Sequence, residues 1–294
     1  MQMIDQFLAY LSYERNRSLA TVSSYRKDLE AFQKFFQAME SSLSWANIDA
    51  DLVRDWMAEM MNEGHRATSI NRRLSALRSF YRFAIARKLV ASDPVHGIVG
   101  PKKDKPLPQF LKEKEMDELL QESLWTDSYE DVRDRTIIMT FYETGMRLAE
   151  LMGLCDEDVD LIRGQLKVTG KRNKQRLIPF GAELSQALQR YVEVRDAQVV
   201  KHSPMLFLSN DGQQMKAEAI RYRVKKHLSQ VSTLKKRTPH VLRHTFATAM
   251  LNHKAGIEGV KKLLGHESLS TTEIYTHTTF EQLRREYLNA HPRA

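Results

Sequence analysis

Apolar positions recur at helical spacing through the first third of the chain. In 21–37, Tyr25, Leu29, Phe32 and Phe36 fall on one face; in 69–89, Ile70, Leu74, Leu77, Tyr81, Ala84 and Ile85 form one stripe, with Arg72 and Arg82 opposite. The pattern predicts a bundle of about four helices with a basic outer face. The rest of the chain mixes two periods. VRDRTIIMTFYE at 132–143 predicts a buried helix that Gly145 can end in a left-handed cap, and another helix begins within 147–154. Residues 165–169 and 176–179 predict two short strands around the basic turn GKRNKQ, with Pro179 at a sheet edge. MLFL at 205–208 reads as extended, ahead of helices at 216–230 and 239–254. Between the two parts, Pro94, Pro101, Pro106 and Pro108 exclude a regular helix, and Lys102, Lys103 and Lys105 keep the segment wet. The expected organisation is an all-helical domain at 1–91, a linker at 92–110 and an α+β domain at 111–294, mainly α with a small β-sheet.

Composition sharpens this picture. The chain has 294 residues, enough for two ordinary domains, and its single cysteine, Cys155, excludes an internal disulfide framework and fits a reducing, cytoplasmic setting. No uncharged apolar run approaches the roughly 18 residues of a membrane span, and the polar start MQMIDQ does not read as a signal peptide. The formal net charge is +8. Its distribution says more than its size. Residues 66–91, 161–182 and 219–257 contain basic residues and no acid at all, whereas acids dominate 111–160. Such sorting concentrates positive potential where a row of phosphates could lie, although paired, solvated helix faces would give the same pattern.

The candidate chemistry gathers in the second part. Thr238 followed by Pro239 is a strong helix start, and it sets His240 and Arg243 three apart in the opening turn, where backbone N–H groups favour an anion. A phosphate there would meet an imidazole and a planar guanidinium together; a lone HxxR is equally compatible with a surface pair without a ligand. His240 and His244 have zinc-like spacing, but no glutamate stands between them as in HExxH and no third ligand is evident. In LLGHESLSTTEIYTH, Gly265 closes one helix and leaves His266 on the connection. Ser270 with Glu273 forms a capping box, Leu269 with Ile274 forms a staple, and Tyr275 is thereby held early in a short helix. A phenol with pKa near 10 needs cationic neighbours before it can attack at neutral pH.

TGMRLAE (144–150), GKRNKQR (170–176), HVLRH (240–244), LLGH (263–266) and STTEIYTH (270–277) occur in one order, and together they resemble the signature of the tyrosine recombinases, Xer type. SLATVSSYRKDLEAFQKF at 18–35 is similar to that family's core-binding domain, and the closing NAHPRA is also Xer-like. The resemblance implies a clamp on duplex DNA in which Arg147 and Arg243 hold the scissile phosphate. It implies Lys171 as the general acid for the 5′ oxygen, His240 in proton transfer, His266 as a phosphate hydrogen-bond donor and Tyr275 as the nucleophile. Arg72, Arg82, Arg172 and Lys174 are candidate DNA contacts. No metal and no nucleotide cofactor is implied, and no Walker-type glycine loop occurs. The turn has Arg172 where the family commonly has glycine, which leaves Lys174 as an alternative to Lys171. Glu150 reads as an orienting partner rather than a catalytic acid. The implied partners are a recombination site with two half-sites, a tetrameric synaptic complex with copies or a paralogue, and a septal DNA translocase. The stripe Phe280, Leu283 and Tyr287 is expected to dock on a neighbouring protomer. An element-encoded integrase, a type IB topoisomerase and a DNA-binding module without chemistry are the alternatives.

Overall fold

The computed structural model describes residues 2–103, 109–170, 173–265 and 277–294. The chain separates into two compact units, Met1–Pro106 and Leu107–Ala294.

The first unit is helical: α1 (Gln2–Ala9) runs into a π-helical turn at Tyr10–Glu14, followed by α2 (Leu19–Met39), α3 (Ala50–Asn62) and α4 (Ala67–Ala86). Ser18 and Asp49 cap α2 and α3, their side chains accepting the Thr21 and Leu52 N–H groups. The apolar stripes meet in an aromatic core. Phe32 lies 4.8 Å from Trp56 and Trp45 lies 4.4 Å from Phe80, ring centre to ring centre. Ile85 departs from its expected stripe and is exposed. At that end of α4 it is Phe83 that turns inward, packing on Phe7 and on Tyr10 of the π-helical turn. Arg82 is exposed as expected. Arg72, in contrast, reaches back to the buried carboxylate of Asp28 and donates to Ser24 Oγ at 2.6 Å.

The second unit contains α5 (Glu113–Leu120), α6 (Tyr129–Thr144), α7 (Leu148–Met152), strands β1 (Val159–Asp160), β2 (Gln165–Thr169) and β3 (Gln175–Pro179), then α8 (Ala182–Gln198), α9 (Ala217–Val231), α10 (Pro239–Asn252), α11 (Ile257–Leu264) and α12 (His277–Ala290). Helix α6 forms the centre, packed between α8 and α10 and buried on nearly every side. Burying a helix all round requires its polar side chains to be satisfied internally. Thr136, Thr140 and Thr144 accordingly turn their hydroxyls onto the carbonyls of Val132, Thr136 and Thr140. The three strands form an antiparallel sheet in the order β1-β2-β3, with Leu166 opposite Ile178 and Val168 opposite Arg176. MLFL makes no regular strand. Met205 and Leu208 form isolated bridges to Cys155 and Gln214, and the Leu206 N–H donates to Leu154 O.

Gly145 ends α6 with φ +58°, and a Cβ there would lie 2.4 Å from the Phe246 ring, so both backbone and space require glycine. Thr238 takes the extended N-cap conformation before Pro239, but its side chain makes no capping hydrogen bond. The stripe of the last helix, expected to dock on a neighbouring protomer during synapsis, is covered here by its own chain. Phe280, Leu283 and Tyr287 are buried within their own unit, where α12 packs on α10, α11 and β3. The stripe is the width of one helix face, and α10 and β3 leave a core surface that this face covers. The capping box at Ser270 and Glu273 and the staple at Leu269 and Ile274 lie outside the described residues.

Candidate active site

Three arginine side chains converge at the C-terminal end of α11. The last carbonyls of any helix lack intrahelical partners and carry the negative end of its dipole. Here Gly265, left-handed at φ +66°, donates its N–H to the carbonyls of Lys261 and Lys262. The next three carbonyls each meet an arginine from a different element. Arg176 Nε donates to Leu263 O at 2.9 Å, Arg243 Nη2 to Leu264 O at 2.7 Å, and Arg147 Nη2 to Gly265 O at 2.9 Å.

Each arginine is fixed by its own local structure. Arg147 is the N-cap of α7, and Glu150, three residues on, closes the turn by accepting the Arg147 N–H at 2.7 Å. The same carboxylate accepts Arg147 Nη1 at 2.9 Å and takes both Arg176 terminal nitrogens, at 2.8 and 2.9 Å. Arg243 sits on the first turn of α10 and is almost fully buried, with Nη1 donating to Gly145 O at 2.6 Å. Arg147 keeps 40 % of its side chain open to solvent, so a ligand can reach it.

The electrostatics follow from this arrangement. Burial pushes the Glu150 carboxyl up, but the hydrogen bonds and charge of Arg176, then those of Arg147, overcome it and hold the group at about 2. Glu150 is therefore an anion under all working conditions and cannot serve as a proton donor. Burial, and next the neighbouring Arg147, lower Arg243 to about 10, which leaves it charged at neutral pH. His240 is exposed on the first turn of α10. The protein around its ring, and then the charge of Arg243, pull its imidazole below the ordinary value, so it is neutral at pH 7 and able to accept a proton. Three guanidinium groups around one carboxylate make a positive site suited to an oxyanion that gains charge in a transition state.

The structure thus brings Arg147 and Arg243 together on consecutive carbonyls and places His240 one turn from Arg243. Glu150 is the orienting partner the sequence suggested. Lys171, Arg172, His266 and Tyr275 lie outside the described residues. Lys174 is exposed in the β2–β3 turn, where its carbonyl accepts the Gly170 N–H at 2.8 Å. In that turn Asn173 takes the left-handed conformation, at φ +58°. Among the described residues no group of three His, Cys, Asp or Glu side chains is placed to hold a metal ion.

Arg176 is the member of this cluster that sequence reasoning did not single out. Its signal is positional: in the β2–β3 register Val168 faces Arg176 as Leu166 faces Ile178, so an arginine stands on the inward face where alternation calls for an apolar side chain.

Comparison with known proteins accounts for both units. The profile of the phage integrase family matches residues 109–282, and that of the phage integrase N-terminal SAM-like domain matches residues 4–88. Tyrosine recombinase XerC of Pelotomaculum thermopropionicum is 38 % identical over 99 % of this chain and 98 % of its own length. Tyrosine recombinase XerD of Staphylococcus aureus is 36 % identical over 99 % of each chain. Among solved structures, XerH site-specific recombinase bound to palindromic difH substrate, a post-cleavage complex, covers 96 % of this chain and 83 % of its own with a TM-score of 0.73 at 21 % identity, a likeness of fold. The arginine pair, the neutral histidine beside it and full-length kinship to two recombinases lead to one assignment: the chain belongs to the phage integrase family, as a tyrosine recombinase of the Xer type.

Proposed function

We propose that the chain performs site-specific recombination of duplex DNA, cutting and rejoining strands through a 3′-phosphotyrosyl intermediate. The observation that carries the reading is the pairing of Arg147 and Arg243 on adjacent carbonyls of one helix end, two cations oriented toward a common position.

In this reading the scissile phosphate binds between those guanidinium groups, which counter the charge of the pentacoordinate transition state. Tyr275 Oη attacks phosphorus while His240, neutral at pH 7, takes its proton. The P–O5′ bond breaks, and Lys171 gives its proton to the departing 5′ oxygen. His266 donates a hydrogen bond to the phosphate. One phosphodiester is exchanged for one phosphotyrosyl ester, so bond energy is conserved and no nucleotide is consumed. Attack by the 5′ hydroxyl of a second strand reverses the chemistry and completes exchange. Arg72, Arg82, Arg172 and Lys174 would contact DNA, so that both units take part in binding the duplex. Kinship to recombinases named both XerC and XerD favours a paired recombinase on the second half-site, and resolution of chromosome or plasmid dimers under control of a DNA translocase.

The test uses a nicked suicide duplex carrying a site footprinted on replication-terminus DNA, with EDTA present. Wild type is expected to form a covalent protein–DNA adduct, resolved by denaturing electrophoresis, and Tyr275→Phe to form none. A wild type that binds the site yet never forms the adduct overturns the catalytic reading. Relaxation of supercoils lacking the site, without exchange between paired sites, would replace recombination with topoisomerase activity.

A further inference from the structure

We propose that Arg176 is a positioning residue for strand cleavage: it locks Glu150, and through it Arg147, while pinning the end of α11 from which the chain runs on to His266. This inference rests on the recombinase reading above.

The case is built from contacts. Arg176 is 8 % exposed and lies on the inward face of β3, an uncommon place for a charge without a task. Its two terminal nitrogens grip both oxygens of Glu150, and its Nε holds Leu263 O. This planar, three-bond pattern is available to a guanidinium and not to an ammonium group. Four pieces of the active site meet at this pair. Arg147 is tied to it through Glu150, and Arg243 holds the carbonyl next to the one Arg176 holds. Gly265 leaves its Cβ position only 3.1 Å from the Arg176 guanidinium carbon. Gly170, directly before Lys171 in the sequence, leaves its Cβ position 3.3 Å from Glu150 Oε1. A guanidinium spent on a carboxylate and a carbonyl acts on phosphate through its neighbours. Arg176 therefore sets where Arg147 points and where the 263–265 turn lies, which are geometric demands on a near-attack arrangement.

Among the described residues, the charged groups facing Glu150 are Arg147 at the start of α7, Arg176 on β3 and, from α10, Arg243. Removing Arg176 takes away the strongest influence opposing the burial of this carboxylate. Glu150 then takes up a proton as pH falls, and the ion pair that orients Arg147 is lost.

The experiment measures single-turnover cleavage of the suicide duplex by the full chain, with duplex affinity measured separately. Arg176→Lys and Arg176→Gln are expected to bind DNA within about twofold of wild type but to cleave saturating DNA about 100-fold more slowly, the order of effect seen when a preorganised electrostatic contact is lost. Arg176→Gln is further expected to lose rate, relative to wild type, as pH falls from about 7.5 to about 5.5, in the range a buried carboxyl can reach. Adding Glu150→Gln to it removes that extra acid limb. A purely structural role would lower melting temperature and affinity without creating a titration. Should Arg176→Gln fail to fold, Arg176→Lys, which keeps charge and bulk, decides the matter by its rate at saturation. Wild-type cleavage with an undiminished Arg176→Lys rate overturns the positioning role alone. Absence of the wild-type adduct overturns the recombinase reading beneath it.

Discussion

The two units solve the problem of a core in opposite ways. The first fills its interior with rings: Phe7, Phe32, Phe36, Trp45, Trp56, Phe80 and Tyr81 are buried, and Asp28 is its one buried charge among the described residues. The second buries Arg133, Asp134, Glu143, Glu150, Arg176, Arg195 and Arg243 alongside its apolar residues. Apolar packing is insensitive to pH and salt and gives a scaffold whose surface is free to vary. Buried charge is costly and is retained only where partners fix its direction. Arg195 shows the structural form of this, held by Asp156, Asp196 and Leu206 O. Arg147, Arg176 and Arg243 are held in the same manner, by the Glu150 carboxylate and three consecutive carbonyls at the end of α11. Among the described residues, buried charge is concentrated in the second unit.

The contrast can be tested from both sides. Phe32→Ala should cost about 3–5 kcal/mol, the usual range for emptying an aromatic site, and the loss should be read in hydrogen exchange as faster exchange across α2, α3 and α4. Protection spread evenly over the second unit as well would break the distinction between two cores.

A smaller effect belongs to the second unit alone. Burial raises the Glu143 carboxyl to about 8, and the group accepts the Gly181 N–H while pairing with the Tyr287 hydroxyl of α12. The folded chain therefore keeps a proton that an unfolded carboxyl releases near 4.5, and stability declines as pH rises through that window. His291, buried against Tyr142, Phe246 and Tyr287, is pulled the other way, to about 4, so stability also declines as pH falls below 6.5. Glu143→Gln should flatten the decline in melting temperature between about pH 6.5 and 8, above the range in which His291 offsets it. An unchanged slope between those pH values would show that the α12 junction does not titrate there.

The smallest effect is expected at Arg82, exposed on α4. Arg82→Ala should change stability by less than about 0.5 kcal/mol and, as one lost phosphate contact, lower the slope of log affinity against log salt by about 1. Arg72→Ala is a poorer probe of DNA contact, because it also strips the partner from Asp28, whose pKa burial already raises.

What could be read from the sequence follows the same division. Period and punctuation gave α2, α4, α6, α7, α9 and α10, the β2–β3 hairpin and the caps at Gly145 and Gly265, since each depends on residues within a few positions of one another, whereas α1, α3, α5 and α8 were not located. Arg147, His240 and Arg243 could be singled out as candidates because their motifs are local. Arg176 was not, because its meaning lies in a contact with Glu150 and Leu263, and strand alternation was the only local trace. The tail helix is a related case: an apolar stripe states that it must be covered and leaves open by what. Ile85 fell outside its stripe because the π-helical turn at Tyr10–Glu14, which no periodicity announced, drew Phe83 into its place.

The burial of α12 has a consequence for the order in which the protein becomes itself during synthesis. Leu283 and Tyr287 complete the core of the second unit, and Tyr287 hydrogen-bonds Glu143 on the central helix made much earlier. Every residue of the first unit's core lies before position 100. As the chain emerges from the ribosome, the first unit can close while the second still waits for its last helix. A nascent molecule thus owns its first unit well before the core of the unit that holds the arginine cluster is complete.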